Sequence, residues 1–598
     1  MQLPRTYYIE KLKKLEQERS QLKKIIRWLV LSRLLIFLAI FPCIFYLMPT
    51  ILWPGIILTV ISVIVFLILV KIHLQQTNRQ KHLEALIHIC KQEIEALQYA
   101  YEMFPSGEEY MDISHPYSYD MDLFGPGSLF QFLNRTVTIT GSHKLAKMLS
   151  HGRLEPDRII KIQDAVKELG GMPELILDFR AAGSLNSDTD SDLKIIESWL
   201  SEPVYYLSRK FLRWLANILP ILTITLVCAA PWITFFRGIA ISLFLIQLLI
   251  VGMRLTHTSI EHEKLGKRLN VLRKYQELLR IMERGKYAAG DLTAINNILN
   301  SNTVSASASI HSLVKILSAF DNRLNILAAI FLEGFLLWDL QCMIRLEKWK
   351  KVQGKYFKSW IDALASFDSM VSLSTFAFNH PKLSYPKFSG KVFLQARQLG
   401  HILIPDNERV CNDFKIEKKG DFIVVTGANM AGKSTFLRTL ATNIILAMAG
   451  APVCAEEFIF RPVSIFSSMR TSDSLNKHES YFYAELLRLK GMLDWLKTGE
   501  SLFIILDEIL KGTNSADKQK GSYAVLRQIL DMQGTGILAT HDLHLASIEN
   551  DYPGRVKNMC FEIEIDQASI SFDYILRDGV TTKMNAMLLM KQMGIITG

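Results

Sequence analysis

Residues 427–435 read Gly427-Ala428-Asn429-Met430-Ala431-Gly432-Lys433-Ser434-Thr435, and this stretch decides the fold of the chain. It follows the apolar run 422–425 and precedes a segment compatible with a helix, which starts at Phe436. A buried strand, a loop with the spacing G-x-x-x-x-G-K-S and a helix N-terminus together surround an anion with backbone N–H groups. The stretch therefore predicts a phosphate-binding loop that holds a nucleoside triphosphate.

Two further strand ends supply the side chains that such a loop needs. Residues 501–508 form an apolar run that ends in Asp507 and Glu508, so we expect Asp507 to hold a metal and Glu508 to polarise a water. A third run, residues 536–540, places His541 at a strand end, where it can approach a γ-phosphate. A chance match to the loop pattern would have no reason to carry this order. The sequence indicates an ATPase that uses ATP and Mg²⁺.

The chain also contains two long apolar blocks. It is 49% hydrophobic, and residues 34–70 contain no charged residue but have turn formers between Pro49 and Gly55. One crossing of the hydrocarbon core takes about 20 residues, so this block fits two crossings joined by a short turn. The second block, residues 214–253, is interrupted near Arg237, and its second half is short for a crossing. The alternative for each block is a pair of buried core helices, but uncharged runs of this length favour two membrane hairpins.

Positive charge flanks both blocks. Lys and Arg near membrane ends stay on the cytoplasmic side, so we expect a multi-pass protein of the inner (cytoplasmic) membrane with its ATPase domain in the cytoplasm. No removable signal peptide is visible before the first block. The net charge of +10 does not by itself indicate nucleic acid, because anionic lipid attracts the same cations. The flanking cations are Lys11, Lys13, Lys14, Lys23, Lys24, Arg27 and Arg33, then Lys71, Arg79 and Lys81, and around the second block Arg209, Lys210, Arg213 and Arg254.

The rest of the chain separates into a helical part and an α/β part. Residues 128–200 and 255–345 have the spacing of short amphipathic helices. The apolar segment 324–343 carries Glu333 and Asp339, which favours a core helix over a fifth crossing. About the last 200 residues alternate strand and helix patterns, as α/β sheets do. The seven cysteines have no spacing suited to zinc, so no metal is expected beyond that of the nucleotide.

The nucleotide loop also carries a family resemblance, because Asn429-Met430 inside it is unusual among phosphate-binding loops. The loop resembles that of MutS-type DNA mismatch-repair ATPases, and three further segments resemble the same family in the same order. Residues 128–141 are similar to the start of the helical core of that family. The three segments are Arg470-Thr471-Ser472-Asp473-Ser474-Leu475 with Glu479-Ser480-Tyr481-Phe482, then Leu506-Asp507-Glu508-Ile509-Leu510-Lys511-Gly512-Thr513-Asn514, then Ala539-Thr540-His541.

The resemblance implies roles for single residues around one nucleotide. It implies that Ser480 reaches the nucleotide of a partner subunit, so a homodimer with composite ATP sites is expected. Taken alone, Ser480 reads as a helix cap and His541 as a packed loop residue, and the joint order of the segments favours a function for both. The implied ATP-binding residues are Gly427, Ala428, Asn429, Met430, Ala431, Gly432, Lys433, Ser434 and Thr435. The implied Mg²⁺ ligands are Ser434 and Asp507. The implied catalytic residues are Lys433, which contacts the triphosphate, Glu508, the general base, and His541, the γ-phosphate sensor.

Two departures from the family pattern bear on DNA. A charged helix and the first apolar block occupy the place of the family's mismatch reader, so no mismatch-reading domain is visible. The second block stands where the family inserts its DNA clamp.

Two functions remain open. One is a membrane-anchored MutS-family ATPase that binds DNA, related to mismatch repair or to branched DNA, and switches a dimer by ATP hydrolysis. The other is a membrane ATPase that acts on a protein or lipid partner without nucleic acid.

The expected fold class is an ABC-like α/β P-loop NTPase domain, a mixed sheet flanked by helices, preceded by an all-α core and lever region with two transmembrane hairpins. A stretch rich in Pro, Gly and Asp, residues 107–127, marks a boundary within the helical part. The expected domains are a cytoplasmic juxtamembrane helix (1–27), the first hairpin (28–71), a first core part (72–208), the second hairpin (209–254), a second core and lever part (255–385) and the ATPase domain (386–598).

Overall fold

The computed structural model describes residues 3–253, 263–301, 303–321, 326–470, 481–566 and 569–582. Up to Asn379 the elements are helices, and the rest of the described chain contains two β-sheets and their flanking helices. A P-loop α/β domain after a helical region with apolar helices is therefore present, as the sequence predicts.

The first apolar block lies in two long helices that pack against each other. They are separated at Ile51, whose backbone is extended (φ −137°, ψ 91°), within the predicted turn. No break separates the predicted juxtamembrane helix from the first apolar run, because one helix continues through residue 27. Helix α1 spans Pro4–Pro42 and continues through a π-helical turn at Cys43–Leu47 and a short turn at Met48–Thr50, and α2 spans Leu52–Ala96.

Five helices follow in the first part of the core. The Thr138 hydroxyl caps the helix Ile139–Ser150 (α4) by accepting a hydrogen bond from the Gly141 N–H (3.0 Å). The buried carboxylate of Asp368 accepts from the N–H groups of Val137 (3.1 Å) and Thr138 (2.8 Å). The residues that resemble the family's core are thus used here for capping and packing. The helices are α3 (Leu129–Leu133), α4 (Ile139–Ser150), α5 (Pro156–Gly170), α6 (Pro173–Ser184) and α7 (Asp190–Ser201).

The second apolar block forms α8 (Lys210–Ala229) and α9 (Phe235–Gly252), which also pack together. Between them, the buried Gln247 amide donates a hydrogen bond to the buried Thr223 hydroxyl. Helices α1, α2, α8 and α9 are each long and apolar enough to cross a membrane, and only 6–22% of their most apolar windows is buried inside the protein. Their apolar side chains therefore face outward, unlike those of core helices.

The second part of the core ends in a helix that the sequence analysis did not identify. This helix, α14 (Trp338–Asn379), has 42 residues, which corresponds to a length of about 63 Å at 1.5 Å per residue. The single core helix expected over 324–343 is interrupted within its described residues, 326–343, because Leu337 adopts a left-handed conformation (φ 48°) and divides them. The Trp338 indole N–H then donates to the Ala319 carbonyl (2.8 Å), which fixes the start of α14. The helices are α10 (Leu269–Arg284), α11 (Gly290–Leu299), α12 (Ala306–Asp321), α13 (Ile326–Leu336) and α14 (Trp338–Asn379).

A buried charged cluster joins the first two helices to the end of α14. Glu93 is fully buried and accepts hydrogen bonds from Arg135 Nε (2.7 Å), Arg180 Nη2 (2.6 Å) and Asn379 Nδ2 (2.7 Å). The Tyr8 hydroxyl of α1 donates to Asn379 Oδ1 (3.0 Å). Burial alone would raise the pKa of Glu93, but the two guanidinium groups outweigh it and lower this pKa to about 2. We call these five residues the Glu93 cluster.

The strands of the α/β part are β1 (Lys387–Phe388), β2 (Leu394–Leu399), β3 (Asn412–Ile416), β4 (Phe422–Gly427), β5 (Glu457–Phe460), β6 (Ser464–Ser468), β7 (Leu502–Asp507), β8 (Thr535–Thr540), β9 (Val556–Asp566) and β10 (Ser569–Asp578). The main sheet has the strand order β10-β9-β4-β8-β7-β6, in which β10 is antiparallel to β9 and the other pairs are parallel. Strands β4, β7 and β8 are buried along their whole length, as their apolar runs predict.

A smaller sheet has the strand order β1-β5-β2-β3 and shares a hydrophobic core with the main sheet. Because β4, β8 and β7 are parallel neighbours, their carboxyl ends lie at one edge of the main sheet. The helices of this part are α15 (Lys433–Ala449), α16 (Tyr481–Leu496) and α17 (Ser515–Asp531), with short helical turns at Leu543–Ser547 and Ile548–Asp551.

The stretch rich in Pro, Gly and Asp packs against the α/β domain. Asp120 is fully buried and accepts hydrogen bonds from the Ser467 hydroxyl (2.6 Å) and the Arg470 N–H (2.9 Å). Asp122 bridges the guanidinium groups of Arg470 (3.0 Å) and Arg438 (3.1 Å), the latter on the helix after the phosphate loop. This stretch thus connects the helical region to the nucleotide loop, beyond the boundary role that its composition predicts.

Candidate nucleotide-binding site

The predicted phosphate loop lies between β4 and α15. Gly432, the last residue before the helix, has a φ of 100°, and a Cβ at this position would lie 2.9 Å from the Tyr574 ring, so glycine is required. The buried Lys433 ammonium folds over the loop and donates to the carbonyl oxygens of Gly427 (2.8 Å) and Ala428 (2.7 Å). The strand, loop and helix that the sequence predicts are therefore in place.

The first acid at the end of β7 contacts the loop directly. The Ser434 hydroxyl, on the first turn of α15, donates to Asp507 Oδ2 at 2.6 Å. A hydroxyl and a carboxylate side by side are the oxygen ligands that Mg²⁺ prefers, so these two residues fit the metal of a nucleotide. Among the described residues, no group of three or more His, Cys, Asp or Glu is placed to hold another metal. Burial lowers the pKa of Lys433, and the nearby Glu508 and Asp507 oppose that shift.

The second acid pairs with the histidine at the end of β8. His541 Nδ1 lies 2.7 Å from Glu508 Oε1. Glu508 has a φ of 53°, a strained conformation for a non-glycine residue, and its N–H donates to the Ala539 carbonyl (2.9 Å). Burial raises the pKa of Glu508, but the hydrogen bond and charge of His541, together with the charge of Lys511, outweigh it and place this pKa below the ordinary value. Glu508 is therefore ionised near neutral pH and able to accept a proton.

Lys433, Ser434, Asp507 and Glu508 line one cavity of about 760 Å³, within the size range of ligand pockets. His541 contacts Glu508 but is not among the residues that line this cavity. Other residues that line the cavity come from loops and strands without a motif, so the sequence analysis missed them. They are both apolar and polar: Leu399, His401, Ile404, Glu408, Val410, Asn412 and Tyr574.

Residues 423–595, which carry all of the motifs of this site, match the family model of MutS domain V. Over these residues the chain is therefore similar to MutS domain V. The MutS domain V is a P-loop ATPase domain, which agrees with the geometry of the loop and the acids.

Curated MutS proteins are similar to part of this chain. MutS protein homolog 4 of Homo sapiens is 30% identical over 237 residues, which cover 38% of this chain and 24% of the relative. The DNA mismatch repair proteins MutS of Persephonella marina and Chlorobium phaeovibrioides are each 32% identical, over 188 and 221 residues. These matches cover 31% and 36% of this chain and 21% and 25% of the relatives. The chain spans about a quarter of the length of these curated relatives.

One residue that supports the site in this MutS-like domain was not predicted. Glu485, a buried residue of α16, accepts hydrogen bonds from the N–H groups of Leu510 (2.6 Å) and Lys511 (3.1 Å). These bonds hold the turn after Glu508, in which Leu510 also has a positive φ (59°). Burial raises the pKa of the Glu485 carboxyl. Its spacing does not distinguish Glu485 from the other polar residues of an amphipathic helix, so the sequence carries no signal for it.

The second MutS-like segment falls mainly outside the described part of the chain. Ser480 and the rest of residues 471–480 lie there, as does Arg254 among the flanking cations. The structure describes Arg470, which follows β6 at the same edge of the sheet as the nucleotide loop. The role of Ser480 toward a partner subunit stays a prediction from the family resemblance.

Proposed function

We propose that this chain is a membrane-anchored MutS-family ATPase that works as a homodimer on DNA, with ATP hydrolysis switching the conformation of the dimer. The observation that carries the ATPase part is the contact between Ser434 and Asp507 in the cavity that also holds Lys433 and Glu508. These polar side chains suit a triphosphate, and the apolar residues that also line the cavity, such as Leu399, Ile404 and Val410, suit a flat base.

The side chains of the site suggest how hydrolysis proceeds. Ser434 and Asp507 would hold Mg²⁺, which when bound supplies positive charge to the phosphoryl oxygens. Lys433 exchanges its two carbonyl partners for phosphate oxygens and stabilises the negative charge of the transition state. Glu508 accepts the proton of the attacking water, and His541 holds the Glu508 carboxylate in position.

Replacing Ser434 by Ala tests the metal site. The variant loses one oxygen ligand but keeps the loop, so we expect half-maximal hydrolysis to need about 10–100-fold more Mg²⁺. The measurement is the steady-state ATPase rate during a Mg²⁺ titration at fixed ATP. Ser515→Ala, which removes an exposed hydroxyl at the start of α17, is the matched control and should leave the titration unchanged. An unchanged Mg²⁺ requirement in Ser434→Ala would remove this residue from the metal site.

The apolar surfaces of α1, α2, α8 and α9 support the membrane part of the proposal. Their outward-facing side chains and the cations that flank them suit two hairpins in the inner membrane, with the ATPase domain in the cytoplasm. Lipid is then a partner of the protein. The Glu93 cluster ties α1 and α2 to the end of α14, which leads into the ATPase domain. Movement of the ATPase domains in a dimer would therefore reach the membrane helices through α14.

A basic face on α14 supports DNA as the partner. Five exposed cations recur every three or four residues, so they lie along one side of the helix. A stripe of this kind contacts the phosphates of nucleic acid, and α14 passes directly into the ATPase domain. The five residues of this basic face are Arg345, Lys348, Lys351, Lys355 and Lys358.

Replacing Lys351 and Lys355 together by Ala tests this face. Each lost phosphate contact lowers the salt dependence of binding, so the slope of log affinity against log salt should become shallower by about 2. The measurement is binding to plain, mismatched and branched duplexes by the detergent-solubilised protein at several salt concentrations. The control removes two exposed lysines of other helices, Lys161 and Lys194, and should keep the slope. If the wild type binds no DNA and lipid rather than DNA alters its ATPase rate, the chain acts on a protein or lipid partner instead.

A further inference from the structure

Helix α13 packs against the middle of an apolar helix. The Phe335 and Phe244 ring centroids lie 5.0 Å apart, and a Cβ on Gly334 would overlap the Phe244 ring. Phe244 is central in α9, more than about 10 Å from either end at 1.5 Å per residue. If α9 crosses the hydrocarbon core, the end of α13 lies inside that core too.

The surface of α13 is apolar on the outside and polar only on the inside. Ile330 and Phe331 are 43% and 62% exposed, and Leu245 and Leu249 of the neighbouring α9 are exposed to a similar degree. The only charged residue in the sequence of α13 is Glu333, which is 6% exposed and accepts a hydrogen bond from the Asp339 N–H (3.2 Å). Water is a poor solvent for such an outer face, whereas lipid acyl chains suit it.

Both ends of the segment that contains α13 lie on one side of the apolar helices. After the break at Leu337, the Gln341 amide contacts the Ala216 carbonyl near the start of α8 (3.4 Å). Glu347 accepts from the N–H groups of Tyr205 (2.7 Å) and Leu207 (2.6 Å), which directly precede α8. This is the side with the flanking cations Arg209, Lys210 and Arg213.

The preceding helix ends on the same side, since the Ala319 carbonyl of α12 accepts from Trp338. The end of α12 and the start of α14, which flank α13 in the sequence, therefore lie on the same side of the apolar helices.

We infer that α13 inserts into the cytoplasmic half of the bilayer beside α8 and α9, as a re-entrant helix covered by lipid acyl chains. Its 11 residues correspond to about 16 Å, roughly half of the hydrocarbon thickness. The inference rests on the proposed membrane placement of α8 and α9. It replaces the core helix that the sequence predicts for this segment and adds a fifth membrane element that does not cross.

Fluorescence quenching by brominated lipid tests this inference. A nitrobenzoxadiazole label is attached to Phe331→Cys in the full chain, with Cys228 and Cys411 replaced by Ser, in vesicles of phosphatidylethanolamine and phosphatidylglycerol. We expect bromine on the acyl chains to reduce the emission at position 331 as strongly as at Leu245→Cys in α9. A label at Ile298→Cys, an exposed residue of α11, should keep its emission. Ile330→Cys replaces Phe331→Cys if the latter does not fold.

The outcomes separate this inference from the membrane proposal. Quenching at position 245 without quenching at positions 330 and 331 overturns the re-entrant helix and leaves the membrane placement intact. A blue-shifted but unquenched label at 331 means that protein, such as a second copy of this chain, covers α13, which also overturns it. If position 245 is not quenched, the membrane placement of α9 fails, and the inference fails with it.

Discussion

Replacing Glu508 by Gln is expected to reduce ATP hydrolysis by about 10²–10⁴-fold while Mg·ATP still binds. Gln has the same size and keeps a contact with His541, but it cannot accept the proton of the attacking water. The Glu508 carboxylate is ionised, lies in the same cavity as Lys433 and is held by the strained turn after β7. The measurements are the single-turnover hydrolysis rate and the equilibrium binding of a fluorescent ATP analogue.

The matched control is Glu500→Gln. Glu500 is an exposed residue whose carboxylate accepts a hydrogen bond from the Trp495 indole N–H. It should hydrolyse ATP at the wild-type rate.

The pH dependence of hydrolysis tests the same residue. Because the general base must be ionised and the pKa of Glu508 is lowered, wild-type activity should fall only when the pH drops below the usual pKa of a glutamate side chain. His541→Ala removes the hydrogen bond that contributes to this shift, so it should move the acid limb of the pH profile upward. A fully active Glu508→Gln enzyme would show that another group is the base.

Replacing Glu93 by Gln is expected to lower the free energy of unfolding by about 3–5 kcal/mol. The change keeps the volume of the side chain but leaves Arg135 and Arg180 as buried cations without a counterion. Burying an uncompensated charge is among the most destabilising changes in a protein. The measurement is chemical unfolding in detergent, followed by tryptophan fluorescence.

The control for this variant is Glu18→Gln, because Glu18 pairs with Arg79 on the surface, where the side chains are 41% and 60% exposed. An exposed pair contributes at most about 1 kcal/mol. The pKa of Glu93 is lowered from 4.5 to about 2, so its contribution to stability is complete above pH 4.5 and is lost as the pH falls toward 2. The difference between wild type and Glu93→Gln should shrink in that window. Equal effects of the two variants would contradict the buried role of the Glu93 cluster.

The polar half of the nucleotide site was predictable from local sequence. The phosphate loop, the acids of β7 and His541 each directly follow an apolar strand, and parallel strands bring their carboxyl ends to one edge. Order along the chain therefore translated into proximity, and the structure joins Ser434 to Asp507 and Glu508 to His541. The catalytic roles of these residues stay predictions until the variants are measured.

Other features depend on contacts between distant segments, which no short pattern encodes. The cavity is also lined by Leu399 and Val410, which precede the phosphate loop, and by Tyr574, which lies far beyond it in the sequence. The single break at Leu337 separates α13 from α14, although the apolar composition runs across it. The Asp120 contacts with Ser467 and Arg470 likewise form only when the helical region meets the ATPase domain. Such features become visible when the packing is known.

The most direct test of the central claim is a cryo-electron microscopy map of the Glu508→Gln protein with Mg·ATP. We predict a triphosphate on the loop of residues 427–435, with its γ-phosphate near Lys433 and the metal between Ser434 and Asp507. ATP bound elsewhere, or a metal that contacts neither of these two residues, would contradict it.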